Sequence, residues 1–384
     1  MKNKIAILTF ARFPSEMAYG IHLIQIAKGF LENGFEVNVY YPKTYNSKTI
    51  YEEPSLYYGV DNKIKFKEVK NFDITSFKLY GILPKLFQKI LYSMNTFVWC
   101  FRVKSVLENE NYSWSTNPNL IMFLKKYFDT SFYEKHGKAR YVQKFSISAL
   151  KKDPNVKLIG ITKKSFEELD SGINPPIYLP LGVDDKLFNK KSEENSPLNI
   201  GYVGMLETHS VDKGVLSACK EILKINENIK TKTTIVGGPE KKIDEINQLV
   251  NEFNQQNNFE IRSFVPHNKV PEIISKFDIG IVPYPNDEHM NLYASPMKIF
   301  ELAAAGVPIL ASNIDGHLEL EEFNLGILYF QHNDFEDFRN KLIHLLEDRK
   351  LRLDLSNRSL KNIKNLTFAS RTKLLLESVR SSIG

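Results

Sequence analysis

The sequence predicts an α/β protein built on doubly wound parallel sheets, and three observations carry that reading. Short apolar runs, such as residues 5–10 (IAILTF) and 307–311 (VPILA), have the composition of strands buried on both faces. These runs alternate with helical segments. Strand 5–10, a helix from about Ile21 to Asn33 closed by Gly34, and strand 35–41 before Pro42 form one strand–helix–strand unit. At 384 residues the chain is long enough for two such domains, each with its own core.

Composition narrows the function classes. With 42% hydrophobic and 25% charged residues, the chain has the make-up of an ordinary soluble globular protein without repeats. Its two cysteines, Cys100 and Cys219, lie in no CxxC or Cys/His spacing, which fits a reducing compartment and argues against a cysteine-bound zinc. Arg12 and Pro14 interrupt the first apolar run too early for a signal peptide, and no segment approaches the roughly 18 apolar residues of a membrane span. The expected location is therefore the cytoplasm, free or peripheral at the inner face of the membrane. The net charge of +6 is unevenly spread, since residues 1–190 hold 28 Lys and Arg against 18 Asp and Glu. No helix-turn-helix, zinc-finger or RNA-recognition pattern accompanies this basic half, so nucleic acid is not an expected partner.

Taken in order, the first strand leads through a small-residue loop with Tyr19 and Gly20 into the first helix; no GxGxxG follows, which disfavours a nicotinamide dehydrogenase. Residues 61–105 interleave nine Lys and Arg with aromatic and aliphatic residues. Two readings stand: a basic amphipathic surface for anionic lipid headgroups, or helices packed on the sheet with solvated lysines. Strands are expected at 112–116 and 131–136 around a helix at 118–127. The second ends in FYEKHG and places His136 at a strand's carboxyl end, where side chains of open α/β sheets meet ligands. A strand at 157–162 and a helix at 164–170 precede YLPLGVDDKLF (178–188), and the polar run 189–196 reads as a linker.

The second domain opens with a strand ending at Gly204 and a helix starting near Lys213 and Gly214. Strand 233–236 runs into the turn Gly237–Gly238, with further strand ends at 263–266 and 279–284. In YASPMKIFELAAAGVPILAS (293–312), Ser295 reads as N-cap, Pro296 as the first helical residue and Gly306 as the terminator. Lys298 in the first turn opposes the helix dipole at a cost of roughly 0.3–1 kcal/mol. Glu301 is the lone polar residue of IFELAAA. A diphosphate at the helix start with a ribose beside Glu301 answers both anomalies; so does a Lys298–Glu301 surface pair. Helices at 334–347, 354–361 and 368–380 close the chain.

The segment SPMKIFELAAAGVPILAS resembles the nucleotide-sugar-binding segment of retaining glycosyltransferases of the GT-B fold, family four, the group 1 type. Other landmarks follow in that family's order: Gly20, His136, GVD at 182–184, Lys213–Gly214 and Gly237. The resemblance implies two Rossmann-like domains facing each other across a cleft: an acceptor-binding domain (1–189), a donor-binding domain (190–365) and a C-terminal helix (366–384) crossing back to the first. It implies that Ser295, Pro296, Met297 and Lys298 hold the donor diphosphate with Lys213, and that Glu301 holds the ribose. Gly20, Gly204 and Gly237 would line the donor, backbone groups near Val265 would hold the base, and His136 would lie beside the sugar. Asp184 would tie the hinge. Catalytic roles fall to His136, Lys213 and Glu301, with no metal and no cofactor beyond a UDP-, GDP- or similar nucleoside-diphosphate sugar. Two positions depart from the pattern: Met205 stands for its arginine and Tyr293 for its earlier glutamate.

The expected activity is retaining, metal-independent transfer of a hexosyl type from that donor to a glycan or lipid-linked acceptor in cell-surface polysaccharide or glycolipid assembly. Two rivals are weighed against it. One is an inactive nucleotide-sugar-binding relative acting as a partner or regulatory subunit. The other is a sugar-nucleotide epimerase, which would need catalytic carboxylates and histidines that the sequence does not show.

Overall fold

The first apolar run forms β1 (Lys4–Leu8), whose Ile5, Ala6 and Ile7 are fully buried, so the strand is apolar on both faces rather than alternating. It belongs to a parallel sheet with β2 (Glu36–Pro42), β3 (Ile64–Val69), β4 (Tyr112–Ser115), β5 (Thr130–Lys135), β6 (Val156–Gly160) and β7 (Ile177–Tyr178). The order is β3-β2-β1-β4-β5-β6-β7, so the winding reverses between β1 and β4. Ile5 and Ile7 face a core with Phe30 of the Ala18–Glu32 helix and Leu375 of the Phe368–Arg380 helix. Ala6 and Leu8 face the other side, where Trp99 and Val103 of the Lys85–Lys104 helix pack.

This computed structural model describes residues 3–380 apart from 61, 140, 190–192 and 209. It divides into two units, 1–180 with 368–384, and 181–367. The sequence placed the divisions at 189/190 and 365/366. The polar run read as a linker is bound into the second unit where it is described. Glu194 accepts from Arg352 Nε at 2.9 Å, and the Asn195 N–H donates to Asp278 at 3.1 Å. Polarity alone suggested a free segment; the partners lie more than eighty residues away in sequence. Residues 190–192 of that run lie outside the described residues, as do 381–384 of the C-terminal segment.

The second unit holds β8 (Asn199–Met205), a short antiparallel hairpin of β9 (Glu207–Thr208) and β10 (Val211–Asp212), then β11 (Lys232–Gly238), β12 (Phe259–Arg262), β13 (Ile279–Val282), β14 (Ile309–Ser312) and β15 (Ile327–Phe330). Its main sheet is parallel in the order β12-β11-β8-β13-β14-β15, with the winding reversed between β8 and β13. The crevice at the carboxyl ends of these two strands is where such sheets receive ligands. Near the unit's two chain ends, Val183 bridges Thr367 and its N–H donates to the Leu366 carbonyl at 3.1 Å.

Helix ends carry the expected chemistry in places. Asp334 caps Phe335–Glu347 by accepting from the N–H groups of Glu336 and Asp337. Thr162 and Ser165 form a capping box on Lys163–Leu169. Other boundaries move: β12 stops at Arg262 rather than running to 266, and the penultimate long helix spans Arg349–Asn362.

Candidate donor site and the histidine cluster

Four residues of the second unit converge at the switch point through the backbone of β8. Gly237 lies opposite Gly204 in the β11–β8 register, and a Cβ at Gly237 would meet the Gly204 carbonyl oxygen at 1.8 Å. Only glycine permits that approach. A side chain at Gly204 would in turn meet Lys298 Cε at 3.1 Å, so the lysine lies over the end of β8. Lys213 returns to the same strand end, its N–H donating to the Leu206 carbonyl at 2.9 Å. Its ammonium sits 4.6 Å from the Tyr284 ring centroid and 3.4 Å from the hydroxyl. Burial and the neighbouring Tyr284 push the Tyr202 phenol well above its usual range, so it stays protonated and donates to the Met205 carbonyl.

The helix Met297–Ala304 starts one residue later than the sequence suggested. Pro296 occupies the N-cap position, and no side chain caps it. Ser295, expected as the cap, instead accepts from the Leu181 N–H at 3.1 Å, a partner 114 residues away. Lys298 Nζ donates to Glu301 Oε2 at 2.6 Å, and His267 Nε2 stands 3.4 Å from Oε1. The lysine–glutamate pair therefore exists, though Glu301 is buried rather than superficial. Burial alone would raise the Glu301 pKa, but Lys298 and His267 hold it down at about 2, so the group is an anion. Val265 lies between two residues of this region, Phe264 against Gly238 and His267 beside Glu301.

The first unit gathers a second constellation at the end of β5. Glu134 is fully buried, and its Oε1 accepts from His22 Nε2 and His136 Nε2, each at 2.7 Å. Its Oε2 accepts from Arg371 Nη2 at 2.9 Å; the same guanidinium donates to the carbonyls of Leu179 and Pro180. Burial opposes the charge, yet Arg371 and the imidazoles keep Glu134 well below the usual carboxylate range. Burial holds His22 at about 4 despite Glu134, so it is neutral. His136, the member partly open to solvent, is oriented by this bond from Nε2 to Glu134. The three ligand atoms lie within 4.8 Å, a spacing a metal ion could use. Here Arg371 already supplies the counter-charge that a cation would bring.

Gly20 departs from expectation. It lies inside the first turn of Ala18–Glu32, not in a loop, and is buried. A Cβ there would meet the Tyr58 hydroxyl at 2.4 Å, the group that bridges the Ser15 N–H and carbonyl. Its smallness thus serves packing. Tyr293, in place of the family's earlier glutamate, is buried, while Met205 is partly exposed. Sequence reasoning missed Glu134, His22, Arg371, His267 and Tyr284. Of these only the Glu134-Lys135-His136 spacing carried a signal, because alternate strand residues share a face.

The profile of glycosyl transferases group 1 matches residues 197–348, the span holding the lysines, Glu301 and the paired glycines. This segment, about 40% of the chain, is what resembles the group 1 glycosyltransferases. Solved structures match along nearly the whole chain and share its GT-B fold. The sucrose-phosphate synthase of Thermosynechococcus elongatus is 14% identical, with 99% of this chain and 100% of that one covered and a TM-score of 0.69. Anabaena HepE, solved with UDP and glucose, is 13% identical over 99% and 100%, with a TM-score of 0.64. WaaG, a glycosyltransferase involved in lipopolysaccharide biosynthesis, is 14% identical over 96% and 98%, with a TM-score of 0.62. A sequence search of curated proteins finds no match. Among the described residues, no helix is long and apolar enough to cross a membrane.

Proposed function

We propose that this chain transfers a hexosyl group, with retention, from a nucleoside-diphosphate sugar to a hydroxyl of a glycan or lipid-linked acceptor in cell-surface polysaccharide or glycolipid assembly. The observation that carries the reading is the pair of lysines, Lys213 and Lys298, brought to the glycine-lined end of β8 at the sheet's switch point. Two ammonium groups beside an uncapped helix start suit a diphosphate, and they stabilise the charge that grows on it as the glycosidic bond breaks. Ser295, Pro296 and Met297 present backbone to the same group, Glu301 takes the ribose hydroxyls, and backbone near Val265 takes the base. The acceptor hydroxyl attacks the face the diphosphate leaves, and its proton passes to the leaving oxygen. His136, held by Glu134, is the group that the family resemblance assigns to the donor sugar. The lysines supply the charge that a divalent cation supplies elsewhere, so transfer should continue in EDTA.

The complex of Anabaena HepE with UDP makes UDP the first probe. Lys298→Ala and Lys213→Ala should each weaken UDP about 10- to 150-fold, the loss of one charge-assisted hydrogen bond, while uridine binding changes little. Equal losses for UDP and uridine in calorimetry would remove the lysines from the diphosphate site. The buried phenol of Tyr293 favours a second reading, a nucleotide-sugar-binding subunit without turnover. It would show the same binding losses and no transfer with any donor.

A further inference from the structure

The helix Lys85–Lys104 is polarised in the wrong direction for a surface facing water. Its inner side buries Asn95, Thr96, Trp99, Cys100 and Val103. Its outer side presents Leu86, Phe87, Ile90, Met94, Phe97 and Phe101, with Leu86, Met94 and Phe101 each 60% or more exposed. These residues recur at helical spacing along one stripe, where a solvated helix would be polar. The short helix Lys78–Ile82 extends the stripe with Ile82, 79% exposed. Contiguous apolar surface of this extent marks a docking face.

Charge identifies what docks. Residues 74–107 contain five Lys and Arg and no Asp or Glu. Lys78, Lys85 and Lys89 are exposed within the same stretch as the apolar stripe. A second copy of this chain would bring identical cations together across a two-fold contact, with no acid in the stretch to answer them. An anionic bilayer answers both features: its acyl boundary takes the rings and leucines, and its phosphates take the lysines. At 20 residues the main helix is about 30 Å long, enough to lie along the headgroup plane.

We propose that this face, residues 78–104, docks the protein peripherally on an anionic membrane surface. The inference rests on exposure and charge, not on the donor site. Loss of vesicle binding would leave UDP binding intact, and failure of the transferase reading would leave the docking face intact. The test is co-sedimentation of the full chain with vesicles of phosphatidylcholine, alone or mixed with phosphatidylglycerol. Binding should need the anionic lipid and weaken with salt. Lys85→Gln with Lys89→Gln should weaken it about 30-fold, from ~1 kcal/mol per lysine at an anionic surface. Phe87→Ser with Met94→Ser should abolish it without lowering the melting temperature, because both side chains are already in water. Absence of binding to the mixed vesicles, or undiminished binding by these variants, would overturn the proposal. A dimer that the Phe87/Met94 variant dissolves would also overturn it, in favour of a second copy as the occupant.

Discussion

At the scale of single residues, two histidines held neutral by burial make acid sensitivity a readable property. His317 donates from Nδ1 to the Ser312 carbonyl at 2.8 Å, and its Nε2 is buried without a partner. Burial therefore pushes its pKa down to about 4, with a smaller push from Lys213; burial does the same to His22. Such a group binds its proton more readily in the unfolded chain. Its contribution is whole above pH 6.5 and is lost as pH falls toward 4, on the order of 3 kcal/mol per histidine at most. The depressed Glu301 works lower: its contribution is whole above about 4.5 and is lost as pH falls through about 2. Urea unfolding should thus weaken between pH 6.5 and 4, before the carboxylates act. His317→Asn, which keeps a donor for Ser312 but cannot titrate there, should flatten part of that slope. An unchanged slope would place the acid sensitivity in other groups. Neither histidine's environment was legible in the sequence, because the groups that bury an imidazole come from several elements at once.

At the scale of elements, the legible parts are those that local chemistry decides. The apolar runs became strands, and Gly306, at φ +66°, ends the Met297–Ala304 helix as its alanines and glycine announced. The start of that helix was misread because the Ser295 hydroxyl is taken by Leu181, which no local pattern records. The helix also poses a sharper question, since Lys298 and His267 now account for the charge on Glu301 without any ribose. Loss of the ion pairs alone should make Glu301→Gln less stable. Ribose binding makes a separate demand: the variant should bind UDP about 10- to 150-fold more weakly, the worth of a charge-assisted bond. The 2′,3′-dideoxy analogue should bind wild type weakly too, and the variant little worse, since both changes delete one interaction. If calorimetry shows the two losses adding in full, Glu301 does not touch the ribose hydroxyls.

At the scale of the molecule, the chain leaves its first unit at Pro180 and returns to it at Phe368, so the last helix completes a core begun at the N-terminus. Gly29 makes the return possible, because a Cβ there would meet the Phe368 carbonyl oxygen and Thr372 Oγ1, each at 2.6 Å. The amphipathic 368–380 segment was legible, and so was its helix; that its buried Arg371 neutralises Glu134 was not, since 237 residues separate the partners. Arg371→Met would leave Glu134 as a buried anion with only its two imidazole partners, and breaking such a pair typically costs about 3–5 kcal/mol. Thermal and urea unfolding should register that loss. Adding Glu134→Gln should recover a large part of it, because the stranded charge goes with its partner. Recovery would show that the helix is tied down by charge compensation. Without it, the guanidinium's bonds to the Leu179 and Pro180 carbonyls would be what fastens the last helix to the end of the first unit's chain.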